Sequence, residues 1–361
     1  MRAPHAPTLA DITLAQLGMR NISAFADALR LGPRVEEIGE LFQALLGPGG
    51  ASQISDGPQW TSDVCDDRTP FEFSLALTQN GGELRALVER LPREASLLSA
   101  QRSGVEATEQ LTATLGLPDD ALERLHRVEP LFHADKPQGV FSRWHAVEFP
   151  PLQGPRVKVY LNPLIHGAGA SASTLEAALR RLGMAPAWDA LTAVRHRGEL
   201  DELKYFSLDL SPEGRIKVYL RFHRPTRDDL ERAFSECRGY APGRVSEFCR
   251  AMCGEVDVLD ARPIFTCFGF SGDDPRPVGT VYIPVAGYTN NDEDAHQRVR
   301  SYLVDQGIPT DMYDQVMSEF PARPLADGSG LISYVSVKVR DGDPRVTVYL
   351  SPEAYEVRPP T

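Results

Sequence analysis

The sequence predicts an α+β protein: ten antiparallel strands, arranged as five hairpins, form one sheet with helices on one side of it. Three observations carry this. Segments 156–161, 215–220, 279–283 and 345–350 repeat one pattern, with Tyr160, Tyr219, Tyr282 and Tyr349 in equivalent places, 59, 63 and 67 residues apart. Each segment alternates polar or aromatic residues with aliphatic ones, the period of a strand with two unlike faces. Between the hairpins lie amphipathic stretches long enough to cross back over the sheet as helices. Closing the sheet into a barrel removes its two edges, whereas an open sheet would satisfy the same pattern with two exposed edge strands.

In chain order, helices are expected over about 11–46, followed by a strand over 69–78 and its partner over 83–89. The next hairpins pair 142–149 with 156–161, 203–210 with 215–220, 263–271 with 279–283, and 331–340 with 345–350. Ser211-Pro-Glu-Gly214 and Asp341-Gly-Asp-Pro344 supply turn chemistry. Helices are predicted over 174–183, 226–237, 244–252, 292–306 and 311–320, and Ser173 with Glu176 and Thr226 with Asp229 have capping-box spacing. The unit repeats five times, so the 361 residues are read as a single domain, 1–361.

Helices pack on an apolar face, which assigns Val157, Val159, Ile216, Val218, Val281, Val346 and Val348 to the helix side. The opposite face then carries Arg156, Lys158, Tyr160, Arg215, Lys217, Tyr219, Thr280, Tyr282, Arg345, Thr347 and Tyr349. In the first hairpin, Phe71, Phe73, Leu75 and Leu77 take the helix side and leave Glu72, Ser74 and Ala76 opposite. If the sheet closes, its lumen is polar, cationic and rich in tyrosine. A structural filling would be Val, Ile and Leu, so this lumen reads as a solvated chamber for a ligand. Arg and Lys grip phosphate groups through charge-assisted hydrogen bonds, and tyrosine faces favour a cation. Both features together suit chemistry that separates diphosphate from a carbocation.

Net charge is −12 at pH 7, which leaves no basic field for nucleic acid or an anionic membrane. No run of 18 apolar residues occurs and the N-terminus has no secretory pattern; five scattered cysteines fit a reducing compartment, so a cytoplasmic protein is expected.

The segments Thr69-Pro-Phe-Glu72-Phe-Ser74, Lys158-x-Tyr160-Leu-Asn-Pro163 and Arg215-x-Lys217-x-Tyr219, with the later strands ending in Tyr282 and Tyr349, resemble the indole prenyltransferases of the dimethylallyltryptophan synthase type. That resemblance covers nearly the whole chain and implies the closed barrel of αββα repeats called the ABBA or PT barrel. It implies transfer of a dimethylallyl group from dimethylallyl diphosphate to the indole of L-tryptophan or a derivative, with no cofactor and no obligate metal. Glu72 would accept the indole N–H as the catalytic residue. Arg85, Lys158, Arg215 and Lys217 would bind the diphosphate, and Tyr160, Tyr219, Tyr282 and Tyr349 would shield the allylic cation. Thr280, Arg345 and Thr347 are further lumen candidates.

Two departures stand out. Thr280 occupies a position where the family often has Gln, and the stretch 146–150 lacks the Lys that many fungal members carry as a proton acceptor. Alternative readings are a barrel prenyltransferase for a phenolic acceptor, which Glu72 disfavours, and a non-catalytic carrier of a prenyl diphosphate or aromatic metabolite. The stretch Asp63-Val-Cys-Asp66-Asp67 has the wrong spacing for a magnesium-binding aspartate motif and is expected to be a solvated turn. Cys249 and Cys253 are expected in the core, and His145 and His223 are expected to be structural.

Overall fold

A computed structural model describes residues 9–361 apart from 213, 273 and 340–343. The ten strands are β1 (Phe71–Thr78), β2 (Gly81–Val88), β3 (Arg143–Phe149), β4 (Arg156–Leu161), β5 (Asp201–Asp209), β6 (Ile216–Phe222), β7 (Ile264–Ser271), β8 (Asp274–Ile283), β9 (Ile332–Val339) and β10 (Arg345–Leu350). Each pairs antiparallel with its neighbour in the chain, and β1 pairs with β10, so the sheet is a closed barrel. The register is set by the repeat: Tyr160 faces Trp144, Tyr282 faces Phe265, and Tyr349 faces Tyr334 across their hairpins.

A pair of helices precedes each hairpin. These are α1 (Leu14–Ala26) and α2 (Arg34–Leu46), α3 (Leu97–Leu115) and α4 (Asp119–Val128), α5 (Ser171–Arg181) and α6 (Ala185–Val194), α7 (Arg227–Ser235) and α8 (Arg244–Cys253), and α9 (Asp292–Asp305) and α10 (Asp311–Glu319). The core is the layer between these helices and the outer face of the barrel. Val159, Val218, Leu220 and Val281 are fully buried there, each worth about 1.5–3 kcal/mol relative to exposure. Under the first helix pair, the Phe42 ring lies 5.0 Å from that of Phe71 and 5.5 Å from that of Phe73. Gly18 on α1 makes this approach possible, since a Cβ there would meet Phe42 at 2.1 Å. Gly279 holds the place on β8 that Val157 holds on β4, and the Phe234 ring fills the space.

The capping box at Thr226 forms, its hydroxyl accepting from the Asp229 N–H. The expected one at Ser173 does not: α5 starts two residues earlier, and the Ser173 hydroxyl donates to the Ala170 carbonyl instead. β8 begins at Asp274, five residues before the predicted start, because the β7–β8 hairpin continues past a register shift between Gly269 and Ser271. Of the predicted turns, residue 213 and residues 341–343 lie outside the described residues.

Candidate active site

Alternation along each strand turns one set of side chains into the barrel, and the lumen they line has two compartments. Near the hairpin turns lies a cavity of about 460 Å³ whose walls include Arg85, Arg215, Lys217, Arg238, Lys338 and Arg345. Toward the opposite end lies a second cavity of about 350 Å³, walled by Glu72, Trp144, Tyr160, Tyr205, Tyr219, Phe265 and Tyr334. Tyr282 and Tyr349 line both and stand where the two meet. Of the predicted lumen residues, Thr280, Arg345 and Thr347 border the first compartment. Lys158 lies deeper than expected. It is buried in the wall and ion-paired to Glu148, and it does not border either cavity.

The cationic compartment is laced with carboxylates absent from the sequence-based expectation. Glu83 pairs with Arg85 at 2.9 Å, Arg156 at 2.7 Å and Arg345 at 3.1 Å. Besides Lys158, Glu148 pairs with Arg156 at 3.1 Å and Arg85 at 3.4 Å, and Asp209 holds Arg215 at 2.6 Å. Burial resists ionisation of Glu148, but Lys158 and Arg85 outweigh it and hold the carboxyl well below the usual range. Burial and Lys217 draw the Lys158 ammonium below its ordinary value, with Glu148 opposing them. For Arg85, Glu148 and Glu83 overcome the burial cost and strengthen its charge. A buried cation needs such partners, because the cost of removing it from water is several kcal/mol on the order-of-magnitude scale. The signal was present: Glu83 shares the parity of Arg85 on β2, and Glu148 that of Trp144 on β3.

The second compartment is a chain of rings. Ring centroids lie 5.3 Å apart for Trp144 and Tyr205, 5.7 Å for Tyr205 and Phe265, and 5.8 Å for Phe265 and Tyr334. The tyrosines continue the chain at 5.6 Å from Tyr160 to Tyr219, 6.1 Å from Tyr219 to Tyr282, and 5.8 Å from Tyr282 to Tyr349. Tyr160 and Tyr219 share a hydrogen bond of 3.0 Å between their hydroxyls. Burial raises both phenols, so they remain neutral.

Among the described residues, Glu72 is the only carboxylate deep in this aromatic wall; Asp63 and Asp66 sit at its rim. Burial pushes the Glu72 carboxyl up to about 8 against the Ser333 hydroxyl, which donates to it at 2.7 Å. Simple alternation would point Ser333 toward the helices. A register shift between Tyr349 and Leu350 makes it the extra residue of a bulge, which frees it to reach Glu72. Another shift, between Leu203 and Tyr205, leaves Lys204 as the extra residue, while Tyr205 keeps the lumen parity of Ser207 and Asp209 and pairs with Tyr219.

The rim of this compartment corrects one expectation. Asp63 and Asp66 belong to its wall, and Cys65 between them is buried, so this stretch is not a solvated turn. Asp66 is clasped by Arg262 at 2.5 and 2.9 Å, and Asp67 accepts from the Thr69 hydroxyl and N–H. Among the described residues, no group of three or more His, Cys, Asp or Glu is placed to hold a metal ion.

A family model described as tryptophan dimethylallyltransferase matches residues 41–319. The chain belongs to the tryptophan dimethylallyltransferase family. It is also similar across its length to solved structures. The 6-dimethylallyltryptophan synthase from Micromonospora olivasterospora, in complex with DMASPP and Trp, is 34% identical with a TM-score of 0.91, covering 97% of this chain and 100% of that one. The 5-dimethylallyltryptophan synthase from Streptomyces coelicolor, also in complex with DMASPP and Trp, is 34% identical with a TM-score of 0.88, covering 97% and 98%. The prenyltransferase PriB, in a ternary complex with L-tryptophan and dimethylallyl thiolodiphosphate, is 31% identical with a TM-score of 0.88, covering 97% and 99%.

The two cysteines expected in the core are buried, and the two histidines have protein partners. Cys249 and Cys253 are buried on the inner face of α8. His145 sits between β3 and α3 against the Thr108 hydroxyl at 2.8 Å, and burial with Arg143 and Arg90 lowers it to about 3. His223 contacts Glu202 at 3.1 Å beside the end of β6. No helix among the described residues is long and apolar enough to cross a membrane.

Proposed function

We propose that this chain, acting as one barrel domain, transfers a dimethylallyl group from dimethylallyl diphosphate to the indole ring of L-tryptophan by electrophilic aromatic substitution, in the cytoplasm and without a metal or other cofactor. The observation that carries this is the division of one lumen into a cationic half and an aromatic half that meet at Tyr282 and Tyr349. The relatives crystallised with a thiolo analogue of the donor and with tryptophan support the same pairing of substrates.

Arg85, Arg215 and Lys217 hold the diphosphate, and Lys158 adds its charge from behind Glu148. They favour ionisation because charge on the leaving oxygen grows as the C–O bond breaks, and preorganised donors are strongest where charge develops. The allylic cation then lies against Tyr160, Tyr219, Tyr282 and Tyr349, whose faces stabilise it and whose packing excludes water. Glu72 accepts the indole N–H and fixes the ring. An indole carbon bonds to the cation, and the ring proton leaves to restore aromaticity. With Trp144 opposite Tyr160 on β3, and no Lys on that strand, the departing diphosphate takes that proton.

Free tryptophan suits the rim, where Asp63 and Arg221 offer an anion and a cation to an amino-acid head group. Similarity does not choose the ring carbon, since a 6- and a 5-dimethylallyltryptophan synthase resemble the chain equally at 34% identity. The test is incubation with L-tryptophan and dimethylallyl diphosphate in EDTA. A product heavier by one C5H8 unit, with its position assigned by NMR, is the expected result. Binding of both compounds without that product would favour a carrier.

A further inference from the structure

We propose that Glu89, just beyond β2, is a positioning residue that fixes the acceptor wall by tying Trp144 to the loop over 57–70, and so sets tryptophan affinity and the ring position attacked. The inference rests on the proposed reading of the aromatic compartment as the place of tryptophan.

Glu89 follows Glu83, Arg85 and Leu87 on the lumen face of β2, yet it is only 1% exposed and does not border the cavity. Its backbone N–H donates to the Pro70 carbonyl at 2.8 Å, which anchors it beside the start of β1. The Ser62 hydroxyl donates to one carboxylate oxygen at 2.5 Å and accepts from the Val64 N–H at 3.3 Å. That chain of bonds ends in the stretch 63–66, which forms part of the acceptor wall.

The other side of Glu89 faces indoles. Val88 pairs with His145, so Glu89 comes beside Trp144 one step along the β2–β3 ladder. Its second carboxylate oxygen and the Trp60 and Trp144 N–H groups are all buried with no hydrogen-bond partner among the described residues, and burial pushes the carboxyl up to about 7. Trp144 in turn stacks on Phe141 at 4.1 Å and tilts against Tyr205 at 5.3 Å, so its plane is clamped between rings and this carboxyl. A carboxyl in this place costs desolvation energy that an apolar residue would not. What it supplies is orientation: Trp144, Trp60 and Ser62 come from two separate chain segments and share one anchor. A flat acceptor held between rings is sensitive to displacements of an ångström, which can change rate by about 100-fold.

The test compares the wild-type protein with Glu89→Ala and Glu89→Gln, measuring kcat, the KM for each substrate and the distribution of prenylated isomers. For Glu89→Ala the expected result is a tryptophan KM raised about tenfold, a donor KM within about twofold of wild type, and a mixture of isomers. Glu89→Gln, which keeps an acceptor for Ser62, restores most of the affinity and selectivity. A folded Glu89→Ala variant with unchanged tryptophan KM and one isomer overturns the proposal, as does an equal rise in both KM values. If Glu89→Ala does not fold, Ser62→Ala and Trp60→Phe decide it by the same readouts. Absence of prenylation by the wild-type protein would count against the proposed reaction and not against this anchor.

Discussion

The two halves of the lumen hold their polar groups in opposite ways. In the cationic half, charges are kept charged: Glu83, Glu148 and Asp209 each neutralise arginine or lysine before any ligand arrives. In the aromatic half, a carboxyl is kept neutral: among the described residues a serine hydroxyl is the hydrogen-bond partner of Glu72, and burial pushes the carboxyl up to about 8. A strongly anionic ligand can replace carboxylates around arginines with little loss of pairing, and the same carboxylates compete with it for those arginines. A neutral ring would need no such exchange, and under the proposed reading shape and one hydrogen bond to Glu72 would hold it. The difference teaches that buried charge requires counter-charge, whereas a buried acid can meet the same low dielectric by keeping its proton.

The largest test of this contrast is Glu72→Ala. Turnover with tryptophan is expected to fall by at least about 100-fold while inorganic diphosphate binds as before, measured by product chromatography and calorimetry. A near-native rate would remove Glu72 from the reaction. Next, Lys217→Ala should weaken the donor by about 10–100-fold and leave tryptophan affinity nearly unchanged, because it removes a charge-assisted bond from one half only. Equal weakening of both substrates would mean that the halves do not act separately. A smaller effect in the opposite direction is expected from Glu83→Gln. Releasing Arg85, Arg156 and Arg345 from their shared carboxylate should tighten inorganic diphosphate by about fivefold and make it a stronger product inhibitor.

The smallest effect is on stability. Folded Glu72 keeps its proton to about pH 8, whereas the unfolded chain loses it near 4.5, so the stability this group contributes is complete below 4.5 and is lost as pH rises through about 8. Glu72→Gln, neutral throughout, should therefore melt a few degrees above wild type at pH 9, with the gap closing toward pH 5. A gap that does not vary with pH would show that the carboxyl is ionised in the fold throughout.

Much of this architecture was readable in the chain. Period-two alternation placed Glu72, Tyr160, Tyr219, Tyr282 and Tyr349 on one face, because a strand's side chains must alternate and the helices claim the apolar set. The same rule also placed Glu83, Glu148 and Trp144 there, but their role depends on which neighbour each meets, and that neighbour lies on another strand. The depth of Lys158 was not readable for this reason: parity fixes the face, while the ion pair with Glu148 fixes how far the ammonium reaches. Ser173 illustrates a local failure, since capping spacing occurred inside a helix that had already begun.

Local sequence therefore determined the strands, their faces, the helices other than α3, α4 and α6, and the chemical character of the lumen, all of which follow from periodicity and from the cost of exposing apolar surface. Only the closed barrel decided the remainder: the pairing of β1 with β10, the bulge that turns Ser333 toward Glu72, the ring of Tyr205 meeting that of Tyr219, and the hydrogen bond from Ser62 to Glu89. Register shifts and ion pairs arise from contacts between segments far apart in the chain, and no spacing along one segment encodes the partner it will meet.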